Sequence, residues 1–165
     1  MKRVEALLLL GANLGDRAGN LRRAVAALRK SEGCRVRKVS RFYETAPIGP
    51  SDKPYLNLAV KLATMRTPMG LLIVAKILEA AAGRRSGVRW GARLLDIDLI
   101  AHGTTRIKTP WLTVPHPLTA KRAFALAPLA EVAPRWRPDG RRTTLALLAA
   151  LNPDPLSVKL WSHGR

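Results

Sequence analysis

Apolar residues along the chain fall into stretches with two different periods. Val4 to Leu10 is a nearly continuous apolar run stopped by Gly11, as expected of a buried central strand. Gly11-Ala12-Asn13-Leu14-Gly15-Asp16 then reads as a turn, with Asp16 as a helix cap. Leu21, Val25 and Leu28 follow at helical spacing, which predicts an amphipathic helix over about residues 17–30 with its arginines in water. Between Arg35 and Tyr43 strict alternation fails, but the β-branched and aromatic residues predict an extended, irregular strand. A loop rich in proline and glycine leads to a roughly alternating run, Tyr55 to Thr64, and two strands so joined pair antiparallel.

Thr67-Pro68 caps a second helix whose buried stripe is read as Leu71, Ala75, Leu78 and Ala82, with Gly83 as its stop. Leu95, Ile97 and Leu99 alternate with Asp96 and Asp98, the period of a strand. Prolines make Thr113 to Pro117 extended. Helices are predicted over Thr119 to Glu131, with Phe124, Leu126 and Leu129 apolar, and over Thr144 to Leu151. The tail beyond Asn152-Pro153 offers no readable chemistry. The order strand, helix, strand, strand, helix, strand matches the split βαβ plan. It predicts one α+β domain over 1–165, a ferredoxin-like two-layer sandwich with an antiparallel-dominated sheet and its helices on one face.

The chemistry concentrates in Arg89-Trp90-Gly91-Ala92-Arg93-Leu94-Leu95-Asp96-Ile97-Asp98-Leu99-Ile100. Side chains two apart on a strand share a face, with roughly 7 Å between their α-carbons. Asp96 and Asp98 therefore point the same way. Paired carboxylates suit Mg²⁺, which completes its shell from substrate phosphates. Arginines just upstream suit the phosphates, whose oxygens a guanidinium binds in a fork. Spacing alone fits equally well an edge strand with a solvated acidic face.

Charge sharpens this picture. Twenty-nine Lys and Arg against 11 Asp and Glu leave a formal +18, which favours polyanionic partners, although the arginines are spread along the whole chain. The strands carry mainly aliphatic residues and aromatics are only 5%, so the stacking platforms of RNA-binding sheets are not expected, nor is a specific nucleic-acid partner. The single cysteine, Cys34, excludes an internal disulfide framework and fits a reducing cytosol. Glu5 interrupts the N-terminal apolar stretch, and no run approaches the ~18–20 residues of a membrane span, so a soluble cytoplasmic protein is expected. The Gly11–Asp16 turn lacks the Gly-Lys-Ser/Thr ending of a P-loop and is read as a strand-to-helix turn.

Several separated blocks occur in order: Leu10-Gly11-Ala12-Asn13-Leu14-Gly15-Asp16, Phe42-Tyr43-Glu44-Thr45, Tyr55-Leu56-Asn57, the twelve residues from Arg89, Val114-Pro115-His116-Pro117 and Arg122-Ala123-Phe124. Together they resemble the 6-hydroxymethyl-7,8-dihydropterin pyrophosphokinase family over nearly the whole chain. The resemblance implies an enzyme of folate biosynthesis that moves diphosphate from ATP to a pterin alcohol and releases AMP. It implies two Mg²⁺ ions held by Asp96 and Asp98, and it assigns catalytic roles to Arg84, Arg93, Asp96 and Asp98. ATP contacts carry over to Glu79, Arg84, Arg89, Trp90, Arg93, Thr113, His116 and Arg122. Pterin contacts carry over to Thr45, Ala46, Ile48, Tyr55, Asn57, Trp90 and Phe124. By themselves Tyr55 and Phe124 read more readily as core, and Trp90 fits either a lid over the site or core.

The family pattern is not matched everywhere. The loop from Gly83 to Arg89 is one residue short, so Arg84 and Arg85 compete for one phosphate role. Ser86 and Trp111 stand where basic residues are found in the family, Lys76 where a glutamine is, and Ala92 replaces a proline. The Gly83–Gly91 loop is expected to close over ATP as a lid. The partners expected are ATP and the pterin alcohol, with no membrane, and the chain is expected to act as a monomer. A non-catalytic relative keeping only the fold would not be expected to retain both aspartates.

Overall fold

In the computed structural model, which describes residues 2–47, 53–83, 93–154 and 157–162, strand β1 (Val4–Ala12) runs through the middle of a six-stranded sheet. Its residues from Ala6 to Ala12 are all buried, as the unbroken apolar run requires. Helix α1 (Arg17–Lys30) follows, capped by Asp16, whose Oδ1 accepts from the Gly19 amide at 2.9 Å. Then come β2 (Cys34–Val39), β3 (Tyr43–Thr45), β4 (Tyr55–Thr64), α2 (Pro68–Ala81, capped by Thr67) and β5 (Asp96–His102). A small ribbon of β6 (Ile107–Lys108) and β7 (Thr113–Val114) precedes α3 (Ala123–Val132), α4 (Thr144–Leu151) and β8 (Val158–Leu160). The sheet order is β5-β1-β4-β3-β8, with β2 also pairing β4, and these pairings are all antiparallel.

Helices α1 and α2 cover one face, forming the expected sandwich. Leu8 and Leu10 of β1, Leu58 of β4 and Ile97 and Leu99 of β5 meet Leu21, Val25, Leu28, Leu71 and Ala75 there. The other face is covered too, but only in part. Leu7, Leu9, Ala59 and Ile100 pack against Ala125, Leu129 and Val132 of α3. Sequence periodicity shows that a helix has an apolar side but not which side of a sheet receives it, so this third layer was not foreseen.

Three other differences are local. The expected strand over Arg35–Tyr43 is two strands, because Ser40 engages β4: its amide donates to Ala59 O and its hydroxyl accepts from Ala59 N, both at 2.9 Å. The expected helix from Thr119 is a 3-10 turn (Thr119–Lys121) followed by α3, with Arg122 extended between them at φ −123° and ψ 105°. Thr119 is buried at 1% exposure, and Arg122 turns out of helical register toward the open part of the sheet face. The unread tail supplies β8, which pairs with β3 and sets Trp161 edge-on to Phe42 at 5.6 Å. Three strand residues are too few for a period to show.

Candidate active site

The uncovered part of the second face arises from one change repeated on three strands. Facing residues pass from Leu7 and Leu9 to Gly11 on β1, from Ala59 to Asn57 and Tyr55 on β4, and from Ile100 to Asp98 and Asp96 on β5. Leu9 lies opposite Asp98, and Gly11 lies between Asp96 and Asn57. Apolar pairs fill the space under α3, and beyond its N-terminal end the same rows become polar and leave a cleft of about 360 Å³. Thr45, Tyr55 and Asn57 stand on one side of it, Arg93, His116 and Arg122 on the other, with Phe124 also lining it. Asp96 and Asp98 form part of its floor, on one face as their spacing predicts.

Among the described residues strand β5 is the sheet's outer strand, and a side chain and a backbone amide from elsewhere hold its outer edge. Glu79 Oε1 accepts from the Ile97 amide, between the two aspartates, at 2.8 Å. The His116 amide donates to Ile100 O at 2.9 Å. Glu79 is 1% exposed and also pairs with Lys76 Nζ at 2.9 Å. It takes a fully buried place on α2, whereas Leu78 and Ala82, read as part of the buried stripe, are half-buried. The reason is the unpaired strand edge, whose buried N–H needs an acceptor.

Arg93 is anchored through its backbone and reaches Asp96 with its side chain. Its amide donates to Asn13 Oδ1 at 2.6 Å, and its carbonyl accepts from the Asn13 amide at 3.0 Å. Its Nη1 lies 2.6 Å from Asp96 Oδ1. Opposite, Asn57 Nδ2 donates to Thr45 Oγ1 at 2.9 Å, which orients the amide and leaves Oδ1 over Gly11. A β-carbon on Gly11 would stand 2.9 Å from that oxygen, so no larger residue fits without moving it. Arg122 Cζ lies 5.6 Å from the Phe124 ring centre, within cation–π range.

Burial, and then the neighbouring Asp96 carboxylate, push the Asp98 carboxyl up to about 6. His116 is held below the usual histidine range by burial and by Arg122, so its ring is neutral near pH 7 and carries one N–H donor. Burial pushes the Tyr55 phenol up, keeping it neutral. No group of three or more His, Cys, Asp or Glu arranged to hold a metal occurs among the described residues. Two crowded carboxylates of which one resists ionisation fit a divalent cation that draws its remaining ligands from phosphate and water.

Nine of the residues singled out in the sequence line this one cleft: Thr45, Tyr55, Asn57, Arg93, Asp96, Asp98, His116, Arg122 and Phe124. Glu79 lies behind the strand, Thr113 is half-buried in β7, and Ala46 is exposed just after β3. Ile48, Arg84, Arg89 and Trp90 lie outside the described residues, as do Arg85, Ser86 and the rest of the expected lid between Gly83 and Gly91. Sequence reasoning missed Leu9, Gly11 and Leu118 as lining and Asn13 as the anchor of Arg93. Asn13 carries no local signal, since its partner is 80 residues away.

Residues 7–134 match the family described as 7,8-dihydro-6-hydroxymethylpterin-pyrophosphokinase (HPPK). The 2-amino-4-hydroxy-6-hydroxymethyldihydropteridine pyrophosphokinase of Bacillus subtilis is 44% identical over 128 residues, 77% of each chain. The protein of the same name from Methylorubrum extorquens is 43% identical over 149 residues, covering 90% of this chain and 94% of its own. A mitochondrial folate synthesis bifunctional protein of Arabidopsis thaliana is 40% identical over 129 residues, covering 78% of this chain and 23% of its own. A crystal structure of an HPPK-DHPS in complex with substrates superposes with TM-score 0.73 at 12% identity, which speaks for the fold. This chain spans less than half of that protein, 43%, while 91% of this chain is covered. By the match over residues 7–134 and these identities, the chain belongs to the 7,8-dihydro-6-hydroxymethylpterin-pyrophosphokinase family.

Proposed function

We propose that this chain transfers diphosphate from ATP to 6-hydroxymethyl-7,8-dihydropterin, a step of folate biosynthesis. The hydroxymethyl oxygen attacks the β-phosphorus, the bond from that phosphorus to the α–β bridging oxygen breaks, AMP leaves and the alcohol gives up its proton. The observation that carries this reading is a single cleft with Asp96 and Asp98 between a basic wall (Arg93, His116, Arg122) and a wall of Thr45, Tyr55 and Asn57. Family membership supports the same reaction.

On the acceptor side, Tyr55 and Phe124 offer ring faces for a flat heterocycle. Asn57 Oδ1, oriented by Thr45, offers an acceptor to its polar edge. The family resemblance adds Thr45, Ala46, Ile48 and Trp90 to the pterin side. On the donor side Arg84, Arg89, Arg93 and Arg122 meet phosphate oxygens as permanent cations, and neutral His116 donates one hydrogen bond. Glu79 and Thr113 belong to the nucleotide side, with Glu79 acting also through the edge of β5. Two Mg²⁺ ions held by Asp96 and Asp98 together with phosphate oxygens would neutralise the charge of the transferring group. Diphosphoryl transfer rests on positioning and charge neutralisation, so no side-chain nucleophile is assigned.

AMP release with ATP, Mg²⁺ and the reduced pterin alcohol tests this reading. Turnover in the wild type that vanishes in Asp96→Ala and Asp98→Ala supports it. A wild type inactive across Mg²⁺ concentrations overturns it.

A further inference from the structure

We propose that Arg17 is a positioning residue for the acceptor wall of the cleft, an inference that rests on the function proposed above. Arg17 opens α1 and reaches two neighbouring strands with one guanidinium. Its Nη2 lies 2.7 Å from Glu44 Oε1 and its Nη1 donates to Pro54 O at 2.9 Å. Glu44 belongs to β3 and Pro54 immediately precedes β4. The two strands pair with Thr45 opposite Tyr55 and Glu44 opposite Leu56. One planar cation therefore bridges both strands at the end of their pairing.

Alternation across the strands makes this bridge matter to the cleft. Leu56 packs in the core under α1 and α2, so its cross-strand neighbour Glu44 points to that face too. Thr45 and Tyr55, one position along, point to the opposite face and line the cleft. Arg17 holds the hairpin from below while the residues beside its two anchors stand above. Thr45 Oγ1 in turn receives the Asn57 amide, so a shift of β3 against β4 would turn the acceptor offered to the heterocycle.

The chemistry of Arg17 fits this task. A guanidinium has donors in a rigid fork and serves a carboxylate and a carbonyl together, whereas an ammonium on a flexible stem holds one geometry less well. Lys159 Nζ of β8 lies 3.5 Å from Glu44 Oε2, so the carboxylate keeps a cation if Arg17 is removed, and the change falls on the strand bridge. Partly exposed ion pairs contribute little to global stability, so a local effect on the cleft separates from a general one.

The test uses the full chain as Arg17→Ala, Arg17→Lys and Glu44→Gln, with AMP-release kinetics for both substrates and amide hydrogen exchange. In Arg17→Ala the KM for the pterin alcohol rises about tenfold and that for ATP moves less than about twofold, because only acceptor geometry is disturbed. Arg17→Lys is intermediate, and Glu44→Gln shifts the same parameter in the same direction. Exchange at residues 44–46 and 55–57 quickens about tenfold in Arg17→Ala while β1 is unchanged. A pterin KM within about twofold of wild type overturns the proposal, as does a parallel rise of both KM values with faster exchange throughout the sheet. If the wild type releases no AMP, the functional reading fails by itself. Exchange then decides the bridge, and unchanged rates at those six positions overturn it.

Discussion

The guanidinium of Arg93 sits 2.6 Å from the Asp96 oxygen that is proposed above to meet a cation in the cleft. The pair is about one-quarter exposed on each side, which makes the contact exchangeable. Under the proposed function a metal–phosphate group would offer each partner a new one, carboxylate to metal and guanidinium to phosphate. Arg93→Ala is therefore expected to bind Mg²⁺ without nucleotide about two- to fivefold more tightly, the range of such a partly exposed pair, while losing turnover. Calorimetric Mg²⁺ titration beside AMP release checks both; weaker Mg²⁺ binding in the variant contradicts the exchange.

Asp98 links stability to function with opposite signs. Its folded-state pKa is raised to about 6 from 3.8, so the folded chain holds this proton more tightly than the unfolded one. The contribution is fully present below about pH 3.8 and lost as pH rises through about 6. At pH 7.5 the ionised group costs up to about 3 kcal/mol. Asp98→Asn should then melt higher than the metal-free wild type at pH 7.5, with the gap closing toward pH 4, and should not turn over. Thermal melts across that range measure it, and an equal gap at both ends refutes the account.

Gly11 is expected to control the acceptor wall by having no side chain. In Gly11→Ala the new methyl would meet Asn57 Oδ1 at 2.9 Å, so the amide must move. The KM for the pterin alcohol should rise about tenfold, the scale of a misplacement below one ångström. Steady-state kinetics with each substrate varied in turn checks this, since a matching rise in the KM for ATP would point to general damage.

Glu131 ties α3 to the sheet. It accepts from Tyr43 Oη at 2.6 Å, from Arg41 Nε at 2.8 Å and from the Arg41 amide at 2.9 Å. Burial alone would raise its pKa, but these donors outweigh burial and hold it below the ordinary 4.5. Its contribution is therefore present above about pH 4.5 and lost as pH falls through the lowered value. Glu131→Gln should cost about 1–3 kcal/mol at pH 7, and the difference should shrink on acidification. Denaturant titrations at pH 7 and pH 3.5 read out both values.

Thr119 should yield a variant more stable than the natural chain. Its hydroxyl is buried and has no hydrogen-bond partner among the described residues. Thr119→Val keeps the shape and removes an unsatisfied group, for an expected gain of about 1 kcal/mol. A loss in a denaturant titration would show that the hydroxyl is satisfied in solution.

Local order was legible because local physics sets it. The apolar run of β1, the Asp16 cap, the Thr67-Pro68 start of α2 and the alternation around Asp96 and Asp98 each need only neighbours a few residues away. The order of elements then predicted an antiparallel α+β sheet. The cleft residues were legible by a different route, since Tyr55, Asn57, His116 and Phe124 carry no distinguishing local pattern and stood out through resemblance to a family.

Tertiary structure alone decided the rest, because the partners are far apart in the chain and no period encodes them. Packing placed α3 on the second face, where its end leaves the cleft open. The unpaired edge of β5 drew Glu79 into full burial, and Asn13 met Arg93 across 80 residues. The pairing of β1 with both β4 and β5 set Gly11 between Asn57 and Asp96. By itself the sequence determined the long strands, the main helices and two carboxylates facing one way. Only the three-dimensional packing decided what those carboxylates face, because a buried donor, acceptor or charge takes its partner wherever the fold brings one within reach.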